Sequence, residues 1–310
     1  MTKQSYAIIG SGALGGLYGA LLAKAGHEVH FLLHSDYEYV KQHGLTVESI
    51  WGDFHLPSVH AHNRADSIPP CDVTLLALKT TNNHLLEKLL PPSTCGAGVV
   101  LCLQNGLDVE SDAAAIVGND RVLGGSCFLC SNKVGPGHIR HLDQGRIVFG
   151  EWGSTAIPIS ERARRIESEF QSAGIEVNAT HDLPMTRWRK LLWNIPFNGL
   201  SVVLNASTKE LIEDNNSVAL SKRIINEVHA GAAGCGVMIP EMFKEKTMEA
   251  TRVMVPYDSS MRLDYLAGRP MEIDAIFRRP LAAAERAGVM MPAVATLADQ
   301  LSFLGRKHSA

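Results

Sequence analysis

Nothing in this chain of 310 residues reads as a membrane span, because no apolar run approaches the ~20 residues that a bilayer demands. An excess of charge of one sign is missing too. Lysine and arginine number 29 against 32 aspartates and glutamates, a net charge of −3, which removes the basic surplus expected of a protein that binds nucleic acid or an anionic membrane. Cysteine is sparse: six in a chain this long do not make a secreted disulfide framework. Met1 to Ser5 shows no basic region leading into a hydrophobic core, so no signal peptide is expected. There is no internal repeat and no low-complexity segment. These absences leave a soluble, cytoplasmic protein with no nucleic-acid or membrane partner. With 45% hydrophobic and 20% charged residues the composition is globular, and the length suggests about two domains at ~150 residues each.

What is present begins at the amino terminus. Tyr6-Ala7-Ile8-Ile9 is a short apolar run that breaks into Gly10-Ser11-Gly12-Ala13-Leu14-Gly15. Leu14, Leu17, Leu21 and Leu22 then recur at helical spacing until Gly26, and His27 to Leu33 reads as a second strand. Strand, glycine loop, helix, strand is the context in which G-x-G-x-x-G carries meaning. Gly10 permits the tight turn, Gly12 lets backbone approach a pyrophosphate, and Gly15 allows close helix–strand packing. The helix starting near Ala13 offers free N–H groups and its positive dipole end to phosphates. At the end of the second strand an acid that would hold a ribose 2′-hydroxyl is missing. The sequence there reads Leu33-His34-Ser35-Asp36, and His34 with Ser35 suits a 2′-phosphate, which favours NADP; Asp36 nearby keeps NAD open.

Thr46 to Ile50 and Phe54 to Leu56 read as a hairpin around Trp51-Gly52-Asp53. His55, His60 and His62 cluster there without acid or thiol companions at ligand spacing, so no metal site is expected. Asp72 to Leu78 and Val99 to Leu103 are buried parallel strands ending in Lys79 and in Gln104-Asn105-Gly106. Ligands of open α/β sheets bind beyond the carboxyl ends of strands, so Lys79 and Asn105 are contact candidates, against the plainer readings of a loop lysine and a turn. Cys127 and Cys130 flank Phe128-Leu129 and read as core thiols. His138 to His141 and Arg146 to Gly150 look like two antiparallel strands, and Ile175 to Val177 a last short one. Near residue 180 the texture turns helical, giving 1–180 as a dinucleotide-binding domain and 181–310 as a helical one. Helices are expected from Met185 to Leu204, Lys209 to Cys235, Pro240 to Val253, Asp274 to Ala287 and from Pro292, with Gly305 to Ala310 a frayed tail.

Inside the first of these helices, Lys190, Asn194 and Asn198 fall at i, i+4 and i+8, one face of a helix, among Leu191, Leu192, Trp193, Ile195 and Phe197. A cation and two amides in apolar surroundings need partners. Two readings are open: a snorkelling lysine with amides bonded to local backbone, or a stripe completed by an oxygen-rich substrate.

The glycine loop, Leu78-Lys79-Thr80, Gln104-Asn105-Gly106, the Trp188-Arg189-Lys190-Leu191 helix through Asn194 and Asn198, Ser259-Ser260-Met261 and Glu272-Ile273-Asp274 together resemble the ketopantoate reductases (2-dehydropantoate 2-reductases) over nearly the whole chain. The resemblance implies a Rossmann-type domain followed by an all-α domain. It also implies NADPH-dependent reduction of a small 2-keto acid, ketopantoate, to pantoate on the route to pantothenate, in an interdomain cleft. Lys190 would be the general acid and Glu272 would bond and place the substrate. Asn105, Asn194, Asn198 and Ser260 would contact substrate, Ser260 at its carboxylate. Gly10, Ser11, Gly12, Ala13, Leu14, Gly15, His34, Lys79 and Asn105 would lie on the cofactor side. The family usually shows an arginine where His34 stands, so NADH is a further option. Trp193, Ile195, Pro196 and Phe197 are bulkier than expected, which points to a pocket shaped for a relative of ketopantoate, and Pro196 predicts a kink. Alternatives are a reductase of another 2-keto acid on the same scaffold, hydroxyacid or 6-phosphogluconate dehydrogenase types, or a catalytically silent NADP-binding regulator. A helical second domain offers a face for a homodimer.

Overall fold

A computed structural model describes residues 3–153, 158–255 and 258–308. The chain divides into two compact units. One holds the residues through Gln104 together with Val109–Leu183; the other holds Asn105–Asp108 and the chain from Pro184 onward. Among the described residues no helix is long and apolar enough to cross a membrane.

The first unit is one ten-stranded sheet with helices: β1 (Tyr6–Ile9), β2 (Val29–Leu32), β3 (Leu45–Ser49), β4 (Phe54–Leu56), β5 (His60–His62), β6 (Val73–Leu76), β7 (Val99–Cys102), β8 (Val122–Gly135), β9 (His138–Glu151) and β10 (Val177–Thr180). Six of them run parallel in the order β5-β2-β1-β6-β7-β8, the doubly wound order of dinucleotide-binding sheets. β1 and β6 are buried along their whole length, as apolar strands covered on both faces must be. Beyond β8 the sheet turns antiparallel: β9 pairs with β8, and its far edge carries β3 and β10 in parallel, with β4 antiparallel to β3.

Two strand expectations and the membership of the histidine cluster are corrected. His138–His141 and Arg146–Gly150 belong to one strand, not two, because Gln144 (φ 59°) and Gly145 (φ 122°) form a bulge that absorbs the polar Asp143-Gln144 stretch without ending the strand. The last strand starts at Val177, since Ile175 closes the preceding helix by bonding Phe170 through its N–H. The histidine cluster contains His30 rather than His55: His30 stacks on His60 with centroids 4.8 Å apart and lies 3.0 Å from His62 through ring nitrogens. Burial holds His30 and His62 below the ordinary histidine range. Among the described residues no group of three His, Cys, Asp or Glu side chains is arranged to hold a metal ion. Cys127 and Cys130 are both buried, and burial pushes the Cys130 thiol up to about 11.

In the second unit the helix of Lys190 runs Leu183–Trp193, widens into a π turn over Asn194–Asn198 and continues as Gly199–Val203. Pro196 has no N–H to give, and the π turn is where the helix absorbs it. A second π turn, Asp274–Arg278, leads into Arg279–Arg286, where the ring of Pro280, which has no N–H to donate, would otherwise crowd the carbonyl of Ile276. The expected Lys209–Cys235 helix breaks at Asp214, whose carboxylate caps Asn215–Gly234 by accepting the Ser217 N–H at 2.8 Å. A short helix, Ser260–Leu266, escaped the periodicity and is capped by Ser259. The final helix, Pro292–His308, passes through Gly305 without fraying, and Ser309 and Ala310 lie outside the described residues. Trp188, Leu192, Ile195, Phe197, Phe277 and Leu301 sit in this unit's core.

Candidate active site

At the carboxyl end of β1 the three glycines do three different things. Gly10 has φ 102°, and a Cβ there would lie 2.6 Å from the Ala77 carbonyl carbon, so the turn is closed to any side chain. A Cβ on Gly15 would run into the Gly10 carbonyl and come within 3.0 Å of Ile8 and Ala77, so the helix Ala13–Lys24 presses directly on the strands. Gly12 has nothing within 4 Å of where a Cβ would sit. It is the helix N-cap, no side chain caps that end, and no acid lies in the first turn with Ala13 and Leu14. Ser11 donates to the Leu32 carbonyl at 2.9 Å, tying the loop to β2. Free donors, open space and no competing carboxylate are what a pyrophosphate requires, so these residues fit a dinucleotide.

His34 and Ser35 are exposed just beyond β2, and Lys79 is half-buried beyond β6. Asp36 is only 4% exposed and is held by Lys133 and by the Gly137 N–H at 3.2 Å. Burial alone would raise its carboxyl; Lys133 and that amide outweigh burial and keep it below the usual range.

The substrate-side candidates lie in the helical unit. On a regular α-helix, residues four and eight along drift by about 40° and 80° round the axis. A π turn closes on i→i+5 bonds and advances less per residue. Set over Asn194–Asn198, it draws Asn198 back toward the line of Lys190. Lys190 donates through Nζ to Asn105 Oδ1 at 2.6 Å. Asn105 is brought there by its successors: Leu107 donates its N–H to the Ala275 carbonyl at 2.9 Å, and Arg279 reaches the Asp108 carbonyl at 2.7 Å. The segment Asn105–Asp108 is thus stapled to the second π turn, directly after Glu272, which is 4% exposed. The two π turns lie against each other, and the Ser260 helix touches the first.

The amides show what the stripe awaits. Asn194 Nδ2 and Asn198 Oδ1 are buried with no hydrogen-bond partner. One is a donor and the other an acceptor, and each costs about 1–3 kcal/mol while unsatisfied. The local-backbone reading therefore fails for these two atoms. Replacing Asn198 with leucine, of similar volume, should raise the melting temperature of the free protein while raising KM for substrate about tenfold or more. A lowered melting temperature with unchanged KM would count against an orphaned acceptor.

Sequence reasoning missed a relay beneath this site. The Arg262 N–H donates to Ser259 Oγ at 3.2 Å, Ser259 and Ser201 share a 2.7 Å bond, and Ser201 donates to the Asn198 carbonyl at 3.0 Å. An N–H at one end and a carbonyl at the other fix the direction, so Ser259 donates to Ser201. Both hydroxyls are fully buried, and they link the helix of Ser260 to the first π turn. Arg279 was also missed, and nothing local in the sequence marks it. The bulky neighbours receive a different account from the one expected. Ile195 and Phe197 are wholly buried, and Trp193 stacks on Phe197 at 5.5 Å while donating its indole N–H to Thr251 at 3.2 Å. They fill the helical core.

A nucleotide cradle in a doubly wound sheet, together with an ammonium positioned among neutral amides, defines a class: oxidoreductases that work with a nicotinamide dinucleotide on a small oxygenated substrate. Within that class the chain belongs to the ketopantoate reductase family. Residues 6–154 match the family model for ketopantoate reductase PanE/ApbA, and residues 182–304 match that of its C-terminal part. The chain is 51% identical to a 2-dehydropantoate 2-reductase of a Nostoc species, over 99% of this chain and 97% of that one. Among solved structures, a 2-dehydropantoate 2-reductase from Geobacter metallireducens superposes with a TM-score of 0.93 at 42% identity, covering 96% of this chain and 99% of that one. Another from Methylococcus capsulatus gives 0.89 at 32%, covering 99% and 98%.

Proposed function

We propose that this protein reduces 2-dehydropantoate to pantoate with NADPH, with Lys190 as the general acid. The observation that carries the reading is the Lys190–Asn105 bond of 2.6 Å, made from the same helix that carries two buried amide atoms with no hydrogen-bond partner, Asn194 Nδ2 and Asn198 Oδ1. Bound NADPH supplies the hydride. The chain's own residues do the rest. Negative charge grows on the ketone oxygen as its carbon is reduced, and the Lys190 ammonium both stabilises that charge and gives up a proton to it. Asn105 accepts one N–H of Lys190 and so holds the ammonium in place. Asn194 donates to a substrate oxygen. Asn198 Oδ1 can only accept, which suits the hydroxyl at the far end of 2-dehydropantoate. Ser260 takes the carboxylate and Glu272 fixes the pose. On the nucleotide side, the glycine loop, His34 and Lys79 hold NADPH.

The test is loss of NADPH absorbance against 2-dehydropantoate and a panel of branched 2-keto acids. Turnover should be greatest with 2-dehydropantoate, and the analogue lacking the hydroxymethyl arm should be far poorer, since it leaves Asn198 unpaired. Absence of turnover with every 2-keto acid and either nicotinamide cofactor would sink the reading. His34→Arg should tighten NADPH about tenfold, through a charge-assisted contact, and NADH much less. Equal tightening of both would place the 2′-phosphate elsewhere.

A further inference from the structure

Dinucleotide folds that hold a ribose diol do so with an acid about 20 residues past the glycine loop. The acid nearest that position here is Asp36, and its carboxylate is already engaged. Oδ2 takes the Gly137 N–H at 3.2 Å and pairs with the Lys133 ammonium, while Oδ1 accepts the Ser35 hydroxyl at 3.3 Å. Lys133 and Gly137 come from the β8–β9 hairpin, far away in sequence. That hairpin is fixed against the nucleotide loop: Ser131, two residues before Lys133 on the same face of β8, donates to the Ala13 carbonyl at 3.3 Å. One carboxylate therefore bridges an exposed hydroxyl at the tip of β2 and an ammonium carried in on a different strand. The Lys133 side chain is 31% exposed and that of Asp36 is 6% exposed, so the cation is the more outward member of the pair.

We infer that Lys133 sets cofactor choice: by cancelling the Asp36 charge beside His34 and Ser35, it lets this site accept a 2′-phosphate with no arginine there. The inference rests on the reading that NADPH is the cofactor and that its 2′-phosphate lies at the tip of β2. A bare carboxylate at that place would repel the phosphate and attract a ribose diol instead. With Lys133 present, the Asp36–Lys133 pair carries no net charge before binding.

The experiment is calorimetric titration of wild type, Lys133→Met, Asp36→Asn and the double variant with NADPH, NADH and 2′,5′-ADP. Lys133→Met should weaken NADPH and 2′,5′-ADP about tenfold or more and move NADH less than about threefold. Asp36→Asn, which leaves an uncompensated cation, should tighten NADPH relative to NADH. The double variant, neutral at both positions, should return NADPH to near its wild-type affinity. Lys133→Met leaves a buried carboxylate unpaired. Should it fail to fold, the comparison of Asp36→Asn with the double variant still decides, because adding Lys133→Met must then abolish the gain. Equal weakening of NADPH and NADH, or a double variant as weak as Lys133→Met, overturns the inference. A wild type that shows no preference for NADPH sinks the NADPH reading itself, and the inference with it.

Discussion

Lys190→Ala should lower kcat about 10²-fold or more, the lower end for a group that transfers a proton in the transition state, while NADPH binds as before. Both halves follow from where the lysine sits. Its ammonium touches Asn105 within the helical unit, whereas the glycine loop, His34 and Lys79 belong to the sheet unit. Removing it takes away the charge that meets the developing alkoxide and the proton that quenches it, and leaves the nucleotide cradle untouched. Lys190→Arg separates the two roles. Arginine keeps a cation but does not release its proton, so charge stabilisation alone should recover only part of the loss. An alanine variant with native kcat would remove Lys190 from the chemistry. One with lost NADPH affinity would show a structural lysine instead.

The parts of the fold that could be read in advance are those whose cause is local. The glycine loop was legible because φ 102° at Gly10 and the close approach at Gly15 can be met only by glycine, so backbone geometry leaves its mark in the sequence. The buried parallel strands were legible because covering both faces demands an unbroken apolar run. Long-range causes left no such mark. The single strand β9 was hidden by a bulge at Gln144-Gly145 that interrupts the alternation. The stripe of Lys190, Asn194 and Asn198 was visible, yet its straightness was not, since a π turn keeps helical spacing in the sequence while changing the turn in space. Asn105 reads as the tip of a strand; what delivers it to Lys190 is bonding to Ala275 and Arg279, some 170 residues on.

That delivery makes Gly106 the residue whose loss should be felt most widely. Its φ is 111°, a conformation that L side chains rarely adopt, and a Cβ there would fall 2.5 Å from both the Ala275 carbonyl oxygen and its Cβ. Gly106→Ala therefore carries backbone strain and a collision with main chain, which cannot swing aside, together worth roughly 2–4 kcal/mol of stability. Relief must come from lifting Asn105–Asp108 off the second π turn. Such a movement breaks the 2.9 Å bond from Leu107 to Ala275 and withdraws Asn105 from Lys190. A displacement of about 1 Å in a positioning group is enough to cost about 10²-fold in rate. The expected result is a melting temperature lower by several degrees, kcat down about 10²-fold, and NADPH affinity little changed. Ala275→Gly in the same chain tests the mechanism, because it removes the collision with Cβ and leaves the carbonyl contact and the strain at φ 111°. It should restore part of the stability and part of the rate. If Gly106→Ala is as active as wild type, Lys190 does not depend on where Asn105 is held. If Ala275→Gly restores stability but no rate, the loss of activity does not come from the collision.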